Sequence, residues 1–196
     1  PHFLFNVLNT IAWKAQINDN EEIYEMVISL GELLKMNTLS RERDFITLEK
    51  EMEYVKFYMY LQQMRFEDKI TYHIQIPEHL MQCRIPCFCI QPLVENAIKY
   101  GIDEQGGEIW VSLRREGDHL IFEVRDNGKG MSQETCRDLL RDDAGDKGGF
   151  GVRLVKAMVK STYGEECGVS IYSREGWGTK VTVRILKDVP VPEYIR

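Results

Sequence analysis

Residues 119–130 read HLIFEVRDNGKG. The first seven are the second strand of a predicted hairpin. Residues 108–115 (EIWVSLRR) are its first strand and Gly117-Asp118 its turn. The strand then runs into Asp126-Asn127-Gly128-Lys129-Gly130. Taken alone, Asp-Asn-Gly is a hairpin-turn signal. Here, however, residues 131–140 have helical character, with Ser132 placed as an N-cap, and supply no partner strand. A carboxylate at a strand end, held by a glycine loop, can accept a hydrogen bond from an exocyclic amine such as adenine N6. Gly128 and Gly130 allow backbone to approach a ligand without a Cβ in the way.

Three further segments carry chemistry. Gly148-Gly149-Phe150-Gly151 leads into the helical stretch 151–162. A glycine loop feeding a helix start can serve as an anion site, because free N–H groups and the helix dipole both favour phosphate. It is neither a Walker A loop nor a Rossmann fingerprint, and a capped linker is the plainer reading. On the helix predicted over 88–100 (FCIQPLVENAIKY), Asn96, Lys99 and Tyr100 share one face. An Asn carbonyl is a hard ligand suited to Mg²⁺ and a Lys is a point charge for phosphate; a solvated face is the alternative. Pro92 is tolerable there in a first turn. Gly176-Trp177-Gly178-Thr179 precedes the last strand and is either a hairpin loop or a place where Thr179 hydrogen-bonds near a base.

The first third is helical. Residues 2–16 carry Leu4, Leu8, Ile11 and Ala15 at helical spacing. Asn18-Asp19-Asn20 breaks that run and caps a second helix, 21–38, striped with Ile23, Met26, Val27, Leu30, Leu33 and Leu34. Residues 40–44 connect, and Thr47 caps a third helix over 48–65. After Arg65 the period changes: Ile70, Tyr72, Ile74 and Ile76 alternate as a strand. Residues 141–149 form a polar loop, 168–173 and 179–186 a closing hairpin, and 189–196 an extended tail. The predicted organisation is α+β: a helical segment over 1–66, then a unit over 67–188 in which helices cover one face of a sheet.

The chain has 196 residues, 43% hydrophobic and 29% charged, with a net charge of −6. It can bury a core of its own. The acidic balance argues against a general nucleic-acid binder. The odd count of 5 cysteines suggests no disulfide framework. Cys83, Cys87 and Cys89 lie near His79, so a zinc site is conceivable, but small buried thiols in a reducing compartment are the preferred reading. No apolar run is long enough to span a membrane. The chain starts at Pro1, so it is expected to be a cytoplasmic fragment, without membrane contact of its own, of a parent anchored upstream in a bacterial cytoplasmic membrane.

In their order, an Asn-bearing helix, Asp-x-Gly-x-Gly, Gly-x-Gly before a helix, and Gly-Thr before a last strand resemble the N box and three G boxes of the GHKL ATPases, roughly over residues 86–186. Pro1-His2-Phe3-Leu4-Phe5-Asn6 resembles the phosphoacceptor box of LytS/YesM-type sensor histidine kinases, and 90–102 (IQPLVENAIKYGI) resembles the same subgroup. The resemblance implies a two-layer α/β sandwich (the Bergerat fold) binding ATP and Mg²⁺. Asn96 would hold Mg²⁺ and Asp126 would read adenine. Lys99, Tyr100, Gly128, Gly130, Met131, Gly149, Phe150, Gly151 and Thr179 would complete the nucleotide site, with 141–149 as an ATP lid. It also implies autophosphorylation of His2 and transfer to an aspartate on a response regulator, expected to be a transcription factor, by a homodimer.

Neutral imidazole is a competent nucleophile near neutral pH. Phe3 follows His2, where many histidine kinases have an acidic residue. Asn6, at i+4, is therefore expected to accept from His2 Nδ1–H and fix the tautomer, with Glu95 a second candidate for proton handling. Three rivals remain: an ATP-hydrolysing clamp, which would want a glutamate where Pro92 stands; a Ser/Thr kinase; and a nucleotide sensor without catalysis.

Overall fold

The computed structural model describes residues 2–40, 44–67, 69–141 and 150–187, and their side chains except at position 2 and positions 36–40. Two helices, α1 (His2–Ile17) and α2 (Glu21–Ser40), form an N-terminal hairpin. As expected, Asn20 caps α2: its Oδ1 accepts from the Ile23 N–H at 3.1 Å. Leu8, Ala12 and Ala15 are buried, whereas Leu4 and Ile11 of the predicted stripe stay exposed with Phe3 and Val7.

A short strand, β1 (Phe45–Thr47), runs directly into α3 (Leu48–Arg65). Thr47 ends the strand and caps the helix, its hydroxyl accepting from the Lys50 N–H. β1 pairs antiparallel with β3 (Arg84–Pro86), a two-stranded sheet absent from the sequence reading. The main sheet contains β2 (Ile70–Gln75), β4 (Gly107–Glu116), β5 (His119–Asp126), β6 (Gly168–Arg174) and β7 (Gly178–Leu186) in the order β2-β4-β5-β7-β6. Both predicted hairpins are present. The pair β2–β4 is parallel and the other pairs are antiparallel. A parallel pair requires a crossover. It is made by β3, α4 (Gln91–Asn96) and the π-helical turn Ala97–Gly101. The remaining helices are α5 (Gln133–Leu140), capped by Ser132, and α6 (Phe150–Tyr163).

One face of the sheet presents Ile109, Val111, Phe122, Val124, Val183 and Ile185 to the helices. Leu93 and Val94 of α4, and Val152, Val155 and Val159 of α6, pack on that face. So do Leu48, Met52, Val55 and Met59 of α3, four residues at helical spacing. The same hydrophobic core thus runs across the compositional change near residues 66–69. The layers are helices over one sheet face, the α/β sandwich the motifs imply. The lid residues 142–149 and the tail 189–196 lie outside the described residues.

Candidate nucleotide-binding site

Asp126 ends β5 and is buried at 4% exposure, yet it lines a cavity of about 210 Å³. Its Oδ1 accepts from the Gly128 N–H at 3.0 Å and the Thr179 N–H at 3.2 Å. Both of these bonds end on Oδ1, so the lone pairs of Oδ2 remain for a ligand. Burial pushes the carboxyl of Asp126 up, opposed by the Gly128 and Thr179 amides and by Arg125.

The backbone around this carboxylate is packed too closely for side chains. A Cβ on Gly101 would lie 2.5 Å from Asp126 Cγ, and one on Gly128 would lie 1.4 Å from the Gly101 carbonyl oxygen. Gly178, at φ +96°, would bring a Cβ to 2.0 Å from the Asp126 carbonyl oxygen. These contacts require glycine on steric grounds.

The third glycine segment is tied down by Ser173, a fully buried residue that sequence reasoning missed. Its hydroxyl donates to the Gly178 carbonyl at 2.9 Å and accepts from the Met131 N–H at 2.9 Å. Thr179 Oγ1 lies 2.9 Å from the same oxygen. Since the one proton of Ser173 is committed to Gly178, Thr179 must donate here, which leaves its oxygen as an acceptor. A Ser in a strand gives no sequence signal for such a hub.

The structure brings Asn96, Tyr100, Asp126, Gly130, Met131 and Thr179 together around this cavity. Gly128 adjoins it through Asp126. Leu93, Leu139, Ile171 and Val181 add apolar walls that the motifs did not name, and Lys129 a cation. A larger groove of about 890 Å³ shares Asn96 and Tyr100 with the cavity and opens toward α3; it is lined by Glu95, Lys99, Phe150 and Gly151. Asn96, Lys99 and Tyr100 all line this groove, and the Lys99 ammonium lies 4.9 Å from the Tyr100 ring centroid. The turn over 97–101 is widened to π-helical geometry. Glu95 accepts from Gln91 Nε2, and burial, with Glu95 nearby, pushes the Tyr58 hydroxyl up to about 12. The Asn6 carbonyl accepts from the Thr10 hydroxyl at 2.8 Å. The side chain of His2, on which its expected partnership with Asn6 depends, and Gly149 lie outside the described residues.

Asn96 stands at the junction of cavity and groove with a buried Nδ2 that has no hydrogen-bond partner among the described residues. A buried amide left unpaired is costly, and a polar ligand at this junction would relieve it. An Asn amide can offer its oxygen to a hard cation and its nitrogen to a phosphate oxygen. The residues present thus fit a magnesium nucleotide. Among the described residues, no group of three or more His, Cys, Asp or Glu could hold a metal ion. Cys87, Cys89, Cys136 and Cys167 are buried, Cys83 is half-buried, and none of the five is in a disulfide. No helix among the described residues is long and apolar enough to cross a membrane.

A five-stranded mixed sheet backed by helices, with an Asp-glycine corner facing an Asn-bearing helix, is the architecture of histidine-kinase catalytic domains. The catalytic domain of histidine kinase ThkA superposes with a TM-score of 0.60 at 16% identity, covering 74% of this chain and 97% of that one. ThkA in complex with response regulator protein TrrA aligns at a TM-score of 0.57 and 15% identity, over 86% of this chain and 50% of that one. The chain belongs to the family described as "Histidine kinase-, DNA gyrase B-, and HSP90-like ATPase", which matches residues 86–189; residues 1–70 match the family described as "Histidine kinase". The sensor histidine kinase BtsS of Escherichia coli K12 is 36% identical over 188 residues, 94% of this chain and 31% of BtsS. YesM of Bacillus subtilis 168 is 32% identical over 187 residues, 94% of this chain and 31% of YesM. The resemblance to LytS/YesM-type sensor kinases holds, and the chain spans just under a third of the length of these relatives.

Proposed function

We propose that this chain is the kinase part of a bacterial two-component sensor: it binds Mg·ATP, phosphorylates His2, and passes the phosphoryl group to an aspartate on a response regulator, a transcription factor. The observation that carries this reading is the buried Asp126 carboxylate, held by Gly128 and Thr179, in one cavity with Asn96.

Asp126 binds the adenine amino group through its free oxygen, and the apolar walls hold the ring. Met131, beside the base, is anchored by Ser173. Asn96 orients the phosphates at the junction with the groove, and Lys99, on the groove side, offsets charge there. Mg²⁺, when bound, neutralises phosphate oxygens. Phe150 and Gly151 stand at the groove, where Gly151 leaves room for Asn96. The groove between α3, α4 and α6 is where the imidazole of His2 enters, with Asn6 to accept from its Nδ1–H and fix the tautomer; Glu95, at the groove wall, is the second candidate for handling that proton. The unpartnered apolar face of α1, with Phe3, Leu4, Val7 and Ile11 exposed, supports assembly into a homodimer. ThkA, solved with the response regulator TrrA, supports the same class of partner here. The parent is anchored in the cytoplasmic membrane, and the kinase part lies in the cytoplasm.

The test is labelling of the parent protein with γ-labelled ATP. Wild type acquires acid-labile, alkali-stable phosphate and His2→Gln acquires none. Equal labelling of the variant, or acid-stable phosphate, refutes the assignment.

A further inference from the structure

Helix α4 has no cap of its own. Ile90, at its cap position, has no side-chain acceptor to offer, and no polar side chain lies between Cys87 and Ile90. The amides at the start of a helix need acceptors, and burying them unpaired is costly. The acceptor comes from a distant element. Glu51 on α3 is 2% exposed. Its Oε1 accepts from the Ile90 N–H at 2.9 Å and the Gln91 N–H at 3.2 Å, and its Oε2 from the Phe88 N–H at 3.1 Å. Three backbone N–H groups thus point at these two oxygens, which serve them as acceptors. Burial pushes this carboxyl up, and the same amides oppose that shift.

One turn further along α3, Tyr54 reinforces the grip. Its hydroxyl accepts from Gln91 Nε2 at 2.9 Å, and its ring meets Phe88 edge-on with centroids 6.1 Å apart. Phe88 is held at φ +61°, a left-handed conformation that a bulky residue rarely adopts. Gln91 Nε2 also donates to Glu95. A short helix held at its first turn carries its later residues as a rigid rod, rising about 1.5 Å per residue.

We infer that Glu51, assisted by Tyr54, is the positioning residue that sets helix α4, and so Asn96, at the phosphate end of the nucleotide site. The inference rests on the nucleotide reading proposed above. It separates the two ends of the site. The adenine corner is built from Asp126, Gly128 and Thr179, none of which Glu51 touches, whereas Asn96 depends on α4. Loss of the clasp therefore weakens the magnesium-dependent part of binding and spares the base.

The experiment titrates ADP into the intact chain by calorimetry, with chelator and with Mg²⁺, for wild type, Glu51→Gln and Tyr54→Phe, with thermal melting alongside. Gln keeps the shape but sets an amide N–H₂ against a backbone N–H. For Glu51→Gln, Mg²⁺-free ADP affinity stays within about twofold of wild type, and the gain on adding Mg²⁺ falls about tenfold, the scale of one lost charge-assisted hydrogen bond. For Tyr54→Phe the gain falls about threefold, the scale of one neutral hydrogen bond. An unchanged Mg²⁺ gain in folded Glu51→Gln overturns the inference, as does an equal loss with and without Mg²⁺, which marks general destabilisation. If Glu51→Gln does not fold, Tyr54→Phe decides, and an unchanged gain there overturns it. If wild type binds ADP in neither condition, the nucleotide reading itself fails and takes the inference with it.

Discussion

Replacing Asp126 by Asn tests the base-reading corner with little disturbance of the fold. The Asn carbonyl oxygen can still accept from the Gly128 and Thr179 amides, which lie 3.0 and 3.2 Å from Asp126 Oδ1. The amide nitrogen then takes the place of Oδ2 and presents a donor to the adenine amino group, itself a donor. A hydrogen bond to a charged group contributes about 1.5–3 kcal/mol. At about 1.4 kcal/mol per decade, ADP affinity falls about 10- to 150-fold. Stability moves the other way or barely at all, since a buried charge is removed and its two amide partners are kept. The melting temperature stays within about 4 °C of wild type. Calorimetry with ADP and inosine diphosphate gives the readout, because the hypoxanthine carbonyl accepts from the new amide. The preference for ADP shrinks or reverses in the variant. Acid supplies a second arm. Burial raises the carboxyl of Asp126, and only its ionised form leaves Oδ2 free to accept. Wild-type affinity therefore falls as pH is lowered from about 7.5 to about 5, starting above the ordinary carboxylate range, while Asp126→Asn shows no such fall. ADP binding by the variant within about twofold of wild type, with the base preference unchanged, refutes the claim that this carboxylate faces the purine.

Gly151→Ala places a Cβ 2.6 Å from Asn96 Nδ2 and 2.8 Å from the Pro92 carbonyl oxygen, so Mg·ADP affinity drops about tenfold or more while the fold survives, as calorimetry and circular dichroism together will show. Ser173→Ala leaves the Met131 amide without its acceptor and frees the Thr179 hydroxyl; it costs about 1–3 kcal/mol in denaturant unfolding and weakens ADP binding in the same preparation. Phe122→Ala hollows the centre of the core and costs about 3–5 kcal/mol in urea unfolding.

Periodicity and turn chemistry predicted most of the elements. Both hairpins, the caps at Asn20, Thr47 and Ser132, and the first-turn place of Pro92 could be read because each follows from local preference. Features fixed by distant partners could not. The helix predicted over 88–100 begins only at Gln91, because Glu51, from α3, ties down the amides of Phe88, Ile90 and Gln91. The turn after Asn96 widens to π-helical geometry where Gly101 meets Asp126, a contact no local signal announces. α3 reads as a continuation of the helical segment, yet its apolar stripe serves the sheet. The parallel pairing of β2 with β4 depends on a crossover that no short-range signal announces. The same logic sorts the candidate site. Glycines and Asp126 were legible as motifs, whereas Ser173 and the apolar walls were not, since a Ser or Leu has many other uses.

The corner formed by Gly101, Asp126, Gly128 and Gly178 is made of main chain pressed against main chain. The glycines of this corner cannot take a side chain without displacing the backbone or the carboxylate they pack against. Divergence in ligand preference between this protein and others of like architecture is then expected at Asp126 itself or on the rim, at Leu93, Leu139, Ile171 and Val181. An inhibitor that stays within the corner would leave escape to substitution at Asp126, while one that reaches the rim would gain selectivity and meet more positions free to change.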